Sequence, residues 1–248
     1  MSDAHRRDRA IHRAVTQALP GAKTGQYATA LQVLRLLICG IVGAQHMHLS
    51  QIARKSPYLG AKPASRVKRF PRWVLHERVT PETYFRPVAH TLLTNLAHQP
   101  LVLMLDGSTA GRGCLVLMLR VRYRGRALPL AWTVIQGKKG HFPATTHCAL
   151  VHQVAALVPA GAQVIFLGDG AFDRTDLQRQ LEQLGWQYVC RTACNCLIWW
   201  GGATMLHLND RVVPQGQALS VIGTEMTAAR YGPVTMVVVW ETGYDHPL

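Results

Sequence analysis

The chain has 248 residues, 48% of them apolar, and a formal charge of +14. That length and apolar content can bury the core of one medium domain plus a smaller one, and they exclude a low-complexity or disordered chain. The six cysteines (39, 114, 148, 190, 194 and 196) include no C-x-x-C pair and read as reduced thiols, which argues against a disulfide-stapled secreted scaffold.

The charge is unevenly spread. Residues 1–100 hold 15 Lys/Arg and 4 Asp/Glu, a net of +11, whereas residues 101–248 hold 12 and 9, a net of +3. A basic half joined to a nearly neutral half with isolated acids points to a polyanion-binding module attached to a catalytic one.

The start, Met1-Ser-Asp-Ala-His-Arg-Arg7, lacks the apolar h-region of a signal peptide. Residues 1–26 are polar and basic, a helix at most and then a loop at Pro20-Gly21. The apolar stretch Ala30 to Ala44 is interrupted by Arg35, is too short to span a bilayer, and reads as a buried helix with Leu31, Leu34, Leu37, Ile38 and Ile41 on one stripe. His46-x-His48 marks a helix boundary, and Ser50 is placed to cap a short helix ending near Arg54.

After the break Ser56-Pro-Tyr-Leu-Gly60 comes a basic helix containing Lys62, Arg66, Lys68, Arg69 and Arg72, with Phe70 and Trp73 facing the core. Short helix, glycine-containing break and basic helix are the ingredients of a helix-turn-helix, so the five cations are candidate DNA contacts. One or two further helices follow over 74–98, with Pro81 and Pro87 at their starts.

From residue 101 the period changes. Leu101 to Asp106, Cys114 to Arg122 and Ala127 to Ile135 read as strands, turned at Gly111 to Gly113 and at Tyr123 to Arg126. Residues 144–158 read as a helix, Val164 to Leu167 as a fourth strand, Thr175 to Leu184 as a helix ended by Gly185, and Trp186 to Arg191 as a fifth strand. The order β-β-β-α-β-α-β is the ribonuclease-H-like arrangement, an α/β mixed sheet flanked by helices in which the first and fourth strands are neighbours. Residues 195–248 read as a β-rich insertion, giving a division into 1–98, 99–194 and 195–248.

Two aspartates stand at the ends of apolar strand runs, Asp106 in Asp106-Gly-Ser and Asp169 in Gly168-Asp169-Gly-Ala-Phe172. Each Asp-Gly alone is an ordinary tight turn. Raised together to one sheet edge, two carboxylates cost several kcal/mol to bury without a cation, and they can share a hard divalent metal. Two-metal phosphoryl transfer places its ions roughly 3.5–4 Å apart and wants a third carboxylate as well. Asp173 and Asp176 read instead as acids favoured by a helix N-terminus.

Arg120, Arg122, Arg124 and Arg126 alternate along one hairpin, as though projecting from one face. That face either grips phosphates or protects an edge by charge. Lys138 and Lys139 sit in the following loop, within reach of a DNA backbone. Cys190, Cys194 and Cys196, with His207 nearby, fit no common zinc spacing, and no G-x-S-x-G motif supports serine hydrolysis.

Leu105-Asp106-Gly-Ser, the strand Gly125 to Trp132, Gly137-Lys, Phe166-Leu-Gly-Asp169-Gly-Ala-Phe172, Cys190-Arg191 with Asn195, and Arg66-x-x-Arg69-x-x-x-Trp73 together resemble the DDE transposases of bacterial insertion sequences, in particular the insertion sequence four group. The resemblance implies a DNA strand-transferase using two Mg²⁺ or Mn²⁺ ions held by Asp106 and Asp169. Its partners would be the terminal inverted repeats of its element and target DNA, its assembly a homodimer in a synaptic complex, and its location the nucleoid of a bacterial cytoplasm, with no membrane involved. It also implies a catalytic glutamate on a helix after the β insertion, in a Tyr-x-x-Arg-x-x-x-Glu motif. No such motif occurs, and the late glutamates Glu225 and Glu241 fall in or beside β-type sequence. The third acid is therefore unassigned and the chain reads as a C-terminally truncated transposase. The alternatives are a non-catalytic, DNA-binding or inhibitory fragment and a ribonuclease-H-like nuclease of other purpose.

Overall fold

The structure is a computed structural model describing all residues except 1, 2, 20, 22, 23, 58–62, 138–141, 171, 193–195, 202, 203, 208–212 and 245–248. It divides into two compact units, residues 1–95 and residues 96–248. The second unit contains two sheets, the second of them formed by the β-rich segment after residue 195.

Unit 1 is helical. Its elements are α1 (Asp3–Ala18), α2 (Gly25–Ala44), α3 (Leu49–Lys55), α4 (Pro63–Val74), α5 (Pro81–Tyr84) and most of α6 (Arg86–Leu96). Val33 and Leu36 of α2, Ile52 and Ala53 of α3 and Phe70 of α4 form its core, with Val67 and Trp73 packed against them. Because α2 begins at Gly25 it reaches 20 residues, long and apolar enough by length and composition to cross a bilayer. One stripe of it is used to bury α3 and α4. Ser50 does not cap α3. His48 is the N-cap residue and Ser50 already lies in the first turn, while the His48 N–H donates to His46 Nδ1 at 3.1 Å. Thr80 caps α5, its hydroxyl accepting from the Thr83 N–H at 3.3 Å ahead of Pro81 at the first helical position.

Unit 2 is built on a five-stranded sheet of β1 (Leu101–Gly111), β2 (Cys114–Tyr123), β3 (Arg126–Gln136), β4 (Val164–Gly168) and β5 (Gln187–Cys190), in the order β3-β2-β1-β4-β5. The first three strands are an antiparallel meander, and β4 and β5 run parallel to β1, which is the ribonuclease-H-like order. Both hairpins turn on two residues with positive φ, Arg112-Gly113 and Arg124-Gly125, the geometry that matches strand twist. Pro129 is tolerated because β3 is an edge strand with a register shift at that point.

One face of the sheet is fully buried, with Leu103, Leu105, Leu117, Leu119, Val121 and Phe166 at 4% exposure or less. It lies under α7 (Ala144–Ala155) and α8 (Thr175–Gln183). The opposite face, carrying Met104, Asp106, Met118, Arg120 and Leu167, is only half buried. Helix α8 ends in a Schellman arrangement: the Gly185 N–H bonds the Glu182 carbonyl at 2.8 Å and the Trp186 N–H bonds the Leu181 carbonyl at 2.9 Å, with Gly185 at φ 68°.

A second, antiparallel sheet follows, of β6 (Leu197–Trp200), β7 (Thr204–His207), β8 (Ala218–Met226) and β9 (Tyr231–Val239), in the order β7-β6-β8-β9. Tyr231 at the start of β9 ties it to the first sheet. Its hydroxyl donates to Glu182 Oε1 at 2.6 Å and shares a 2.8 Å bond with the Tyr188 hydroxyl of β5. Burial and these bonds to Glu182 and Tyr188 hold the Tyr231 hydroxyl protonated, its pKa raised.

Gly185→Ala places a side chain at positive φ. It is expected to lower the unfolding free energy by on the order of 1 kcal/mol, read as a lower denaturant midpoint at unchanged slope.

Candidate functional site

The pairing of β1 with β4 positions the two aspartates. Leu103 is opposite Phe166, Met104 opposite Leu167 and Leu105 opposite Gly168. Asp106 and Asp169 each follow the last residue of that register, Asp106 within β1 and Asp169 just past the end of β4. The local reading of Asp106 needs correction. It is not followed by a tight turn, since β1 continues to Gly111, held by pairing with β2 as far as Gly111 opposite Cys114. The edge exists because β4 stops at Gly168, not because β1 does.

On the β4 side a turn does follow. The Phe172 N–H bonds the Asp169 carbonyl at 2.9 Å, and Phe172 is buried at 3% exposure, anchoring the turn. Gly168 lets the turn pack closely there. A Cβ on it would lie 3.0 Å from Phe172 Cβ and 3.3 Å from Cys190 Sγ.

Asp106 is half exposed and takes a hydrogen-bonded ion pair from Arg120 Nη1 at 3.1 Å. Asp169 is exposed. Asp173, expected as a helix-terminal acid, precedes α8 and accepts from the Thr192 hydroxyl at 2.8 Å, while Asp176 lies in the first turn of α8.

Two carboxylates at one edge suit a single hard cation, since Mg²⁺ keeps several waters and is often bound through one or two carboxylates. Among the described residues no group of three or more Asp, Glu, His or Cys able to hold a metal occurs. Glu225 lies in β8 and pairs with Arg230, whose guanidinium sits 4.8 Å from the Trp199 ring, and Glu241 is exposed beyond β9. Of the zinc candidates, Cys194 lies outside the described residues. Burial and then the Asp173 charge push the Cys190 thiol up to about 12.

His147, which sequence reasoning missed, lies behind the Asp169 turn. It is 3% exposed and its ring sits 5.0 Å from Phe172 and 6.2 Å from Phe142. Neither ring nitrogen has a hydrogen-bond partner among the described residues. Burial, and secondarily Arg174, hold its pKa down, so it is neutral. A lone histidine in a helical stripe gives no signal of this in sequence.

The candidate DNA-binding cations divide by burial. On α4, Lys68, Arg69 and Arg72 are exposed. Arg66 is not on that surface. It is 5% exposed and Nη1 donates to the carbonyls of Ser56 at 2.7 Å and Pro57 at 3.1 Å, closing the C-terminus of α3. The helix period explains this, since Arg66 lies four residues before the buried Phe70 and shares its face.

Arg122, Arg124 and Arg126 are exposed; Arg122 shares a face of β2 with Arg120, two residues before it, but Arg126 does not. Arg126 is opposite Tyr123, whereas Ala127 is opposite Arg122. A two-residue turn pairs residues three apart, so the alternation of the sequence inverts across it. Lys62, Lys138 and Lys139 lie outside the described residues.

No protein-family model matches this chain. No curated protein matches it either. Among solved structures it is similar to a piggyBac transposase, in a cryo-EM structure of the synaptic complex with hairpin DNA, with a TM-score of 0.42 and 12% identity over 94% of this chain and 54% of that one. The chain thus spans about half the length of that structure.

Two outcomes test the site. Arg120→Gln frees the Asp106 carboxylate and is expected to tighten Mn²⁺ binding by no more than about fivefold, the ceiling for so exposed a pair, measured by titration calorimetry. His147 costs stability in acid. Its folded pKa lies below the unfolded one, so the unfolded chain binds the extra proton and stability falls as the pH drops below about 6.5, the ordinary histidine value. His147→Leu should lose less stability than wild type between pH 7.5 and pH 5.5 (test conditions, about two units spanning that value), read from denaturant midpoints.

Proposed function

We propose that the chain is a DNA-processing protein of the transposase type. Its second unit acts on phosphodiesters with a divalent cation at Asp106 and Asp169, and its basic first unit holds DNA. The observation that carries this is the β1–β4 register, which brings two carboxylates to one edge of a ribonuclease-H-like sheet. The charge distribution supports the DNA assignment, as a net of +11 in residues 1–100 favours a polyanion.

When bound, such a cation supplies Lewis acidity to a phosphoryl oxygen and lowers the pKa of an attacking water. The residues of the chain would do the rest. Asp106 and Asp169 would hold the cation, with Arg120 giving up its ion pair to Asp106 for a phosphate. Arg122 would add charge beside it. Gly170, where a Cβ would meet nothing nearer than the Arg191 carbonyl at 3.8 Å, would leave room for a DNA backbone to approach. In this reading the DNA is a transposon end and its target, and the working assembly is a homodimer on paired ends.

A second reading is favoured by the sequence, which contains no Tyr-x-x-Arg-x-x-x-Glu motif. In it, the chain occupies transposon ends without cutting them.

The experiment is nicking of a supercoiled plasmid that carries the DNA flanking this gene, in Mg²⁺ and in Mn²⁺. Asp106→Asn and Asp169→Asn should each lower nicking by more than about 100-fold, as loss of a metal ligand demands, with DNA retention in gel shifts altered less than about twofold. Retention with no nicking by the wild type would establish the second reading instead.

A further inference from the structure

Unit 1 contains a cleft of about 1050 Å³ between the start of α2, the end of α4 and the segment leading into α5. The chemistry at Asp106 and Asp169 does not use it. Two kinds of side chain line it. Arg69, Arg72 and Arg78 set three guanidinium groups against one carboxylate, Glu77. Arg78 is held in place, its Nη1 donating to Gln26 Oε1 at 2.9 Å, while Arg69 and Arg72 are exposed.

The second kind is aromatic. Tyr27 and Tyr84 stack with centroids 5.8 Å apart and planes inclined 20°, and Trp73 meets Tyr84 edge-on at 5.4 Å. Each of the three is half buried and lines the cleft. Trp73 and Tyr84 are therefore fixed by packing before any ligand arrives, Trp73 also being seated against the core of the unit.

This pairing of chemistries selects a ligand with both a phosphate and a flat π-face. Guanidinium groups take phosphate oxygens in bidentate fashion, and aromatic side chains stack on bases of any sequence. A duplex offers its phosphates but keeps its base faces stacked inside. A peptide phosphate would use the arginines and leave the aromatic wall bare. We propose that this cleft binds an unpaired nucleotide, with its base against Trp73, Tyr27 and Tyr84 and its phosphate on Arg69 and Arg72.

The proposal deepens, and rests on, the reading of the exposed α4 cations as a DNA-contacting face. The same nucleotide could come from a single-stranded DNA end or from a free mononucleotide, so the test has an arm for each. Full-length protein is titrated against a labelled blunt duplex and the same duplex with a short single-stranded overhang, and dAMP is used as competitor.

The overhang should bind roughly tenfold tighter than the blunt duplex, the contribution of one or two stacked bases. Tyr84→Leu should remove that preference and leave blunt-duplex affinity unchanged. Arg72→Gln, an exposed change that the fold tolerates, should weaken the overhang complex and dAMP competition alike. Competition by dAMP without an overhang preference would assign the cleft to a free nucleotide. If blunt duplex fails to bind but the overhang still does, in a Tyr84-dependent way, the duplex face is lost and the cleft stands. Equal binding of both DNAs without dAMP competition, or a preference that survives in Tyr84→Leu, overturns the proposal.

Discussion

The parallel pairing of β1 with β4 is the constraint on which the rest of the second unit depends. Five consecutive partners, from Leu101 opposite Val164 to Leu105 opposite Gly168, fix the relative height of two strands whose sequences lie some sixty residues apart. A slip of one residue would turn Phe166 away from the buried face and shift Asp169 relative to Asp106. The buried side chains prevent that slip. Leu103, Leu105 and Phe166 are at 4% exposure or less, and each would have to leave the core for the register to change. The apolar face thus sets the position of the polar edge.

Around that edge the structure keeps charges in check rather than concentrating them. Asp106 is neutralised by Arg120 from the adjacent strand, and the half-buried face beneath both is made of apolar side chains such as Met104 and Met118. His147 is kept neutral between two phenylalanines behind the Asp169 turn. The second sheet is attached through the hydroxyls of Tyr188 and Tyr231 on Glu182. Glu182 of α8 thus joins the two sheets.

In the first unit the same economy separates two uses of arginine. Arg66 is spent inside, on the carbonyls that end α3, and Arg69 and Arg72 are left outside. One helical period decides which is which. A basic run in sequence therefore overstates the surface charge available to a polyanion, here by at least one residue.

The sequence by itself determined the order of elements, the strand and helix types, and the candidacy of Asp106 and Asp169. Those features are local: apolar runs of strand length, a change of period at residue 101, Gly185 closing α8, and the two Asp-Gly steps. It also placed Phe70 correctly in the core, because helical periodicity is a local property. Only the tertiary structure decided where β1 ends, which face each hairpin arginine takes, and whether Arg66 is inside or outside. Each of these depends on a partner distant in sequence or on the phase of a turn. β1 runs past Asp106 because β2 pairs with it, Arg126 changes face because a two-residue turn inverts the alternation, and Arg66 is buried because the end of α3 lies beside it. Such facts are set by pairing and packing, and a single strand of sequence carries no record of what it will be packed against.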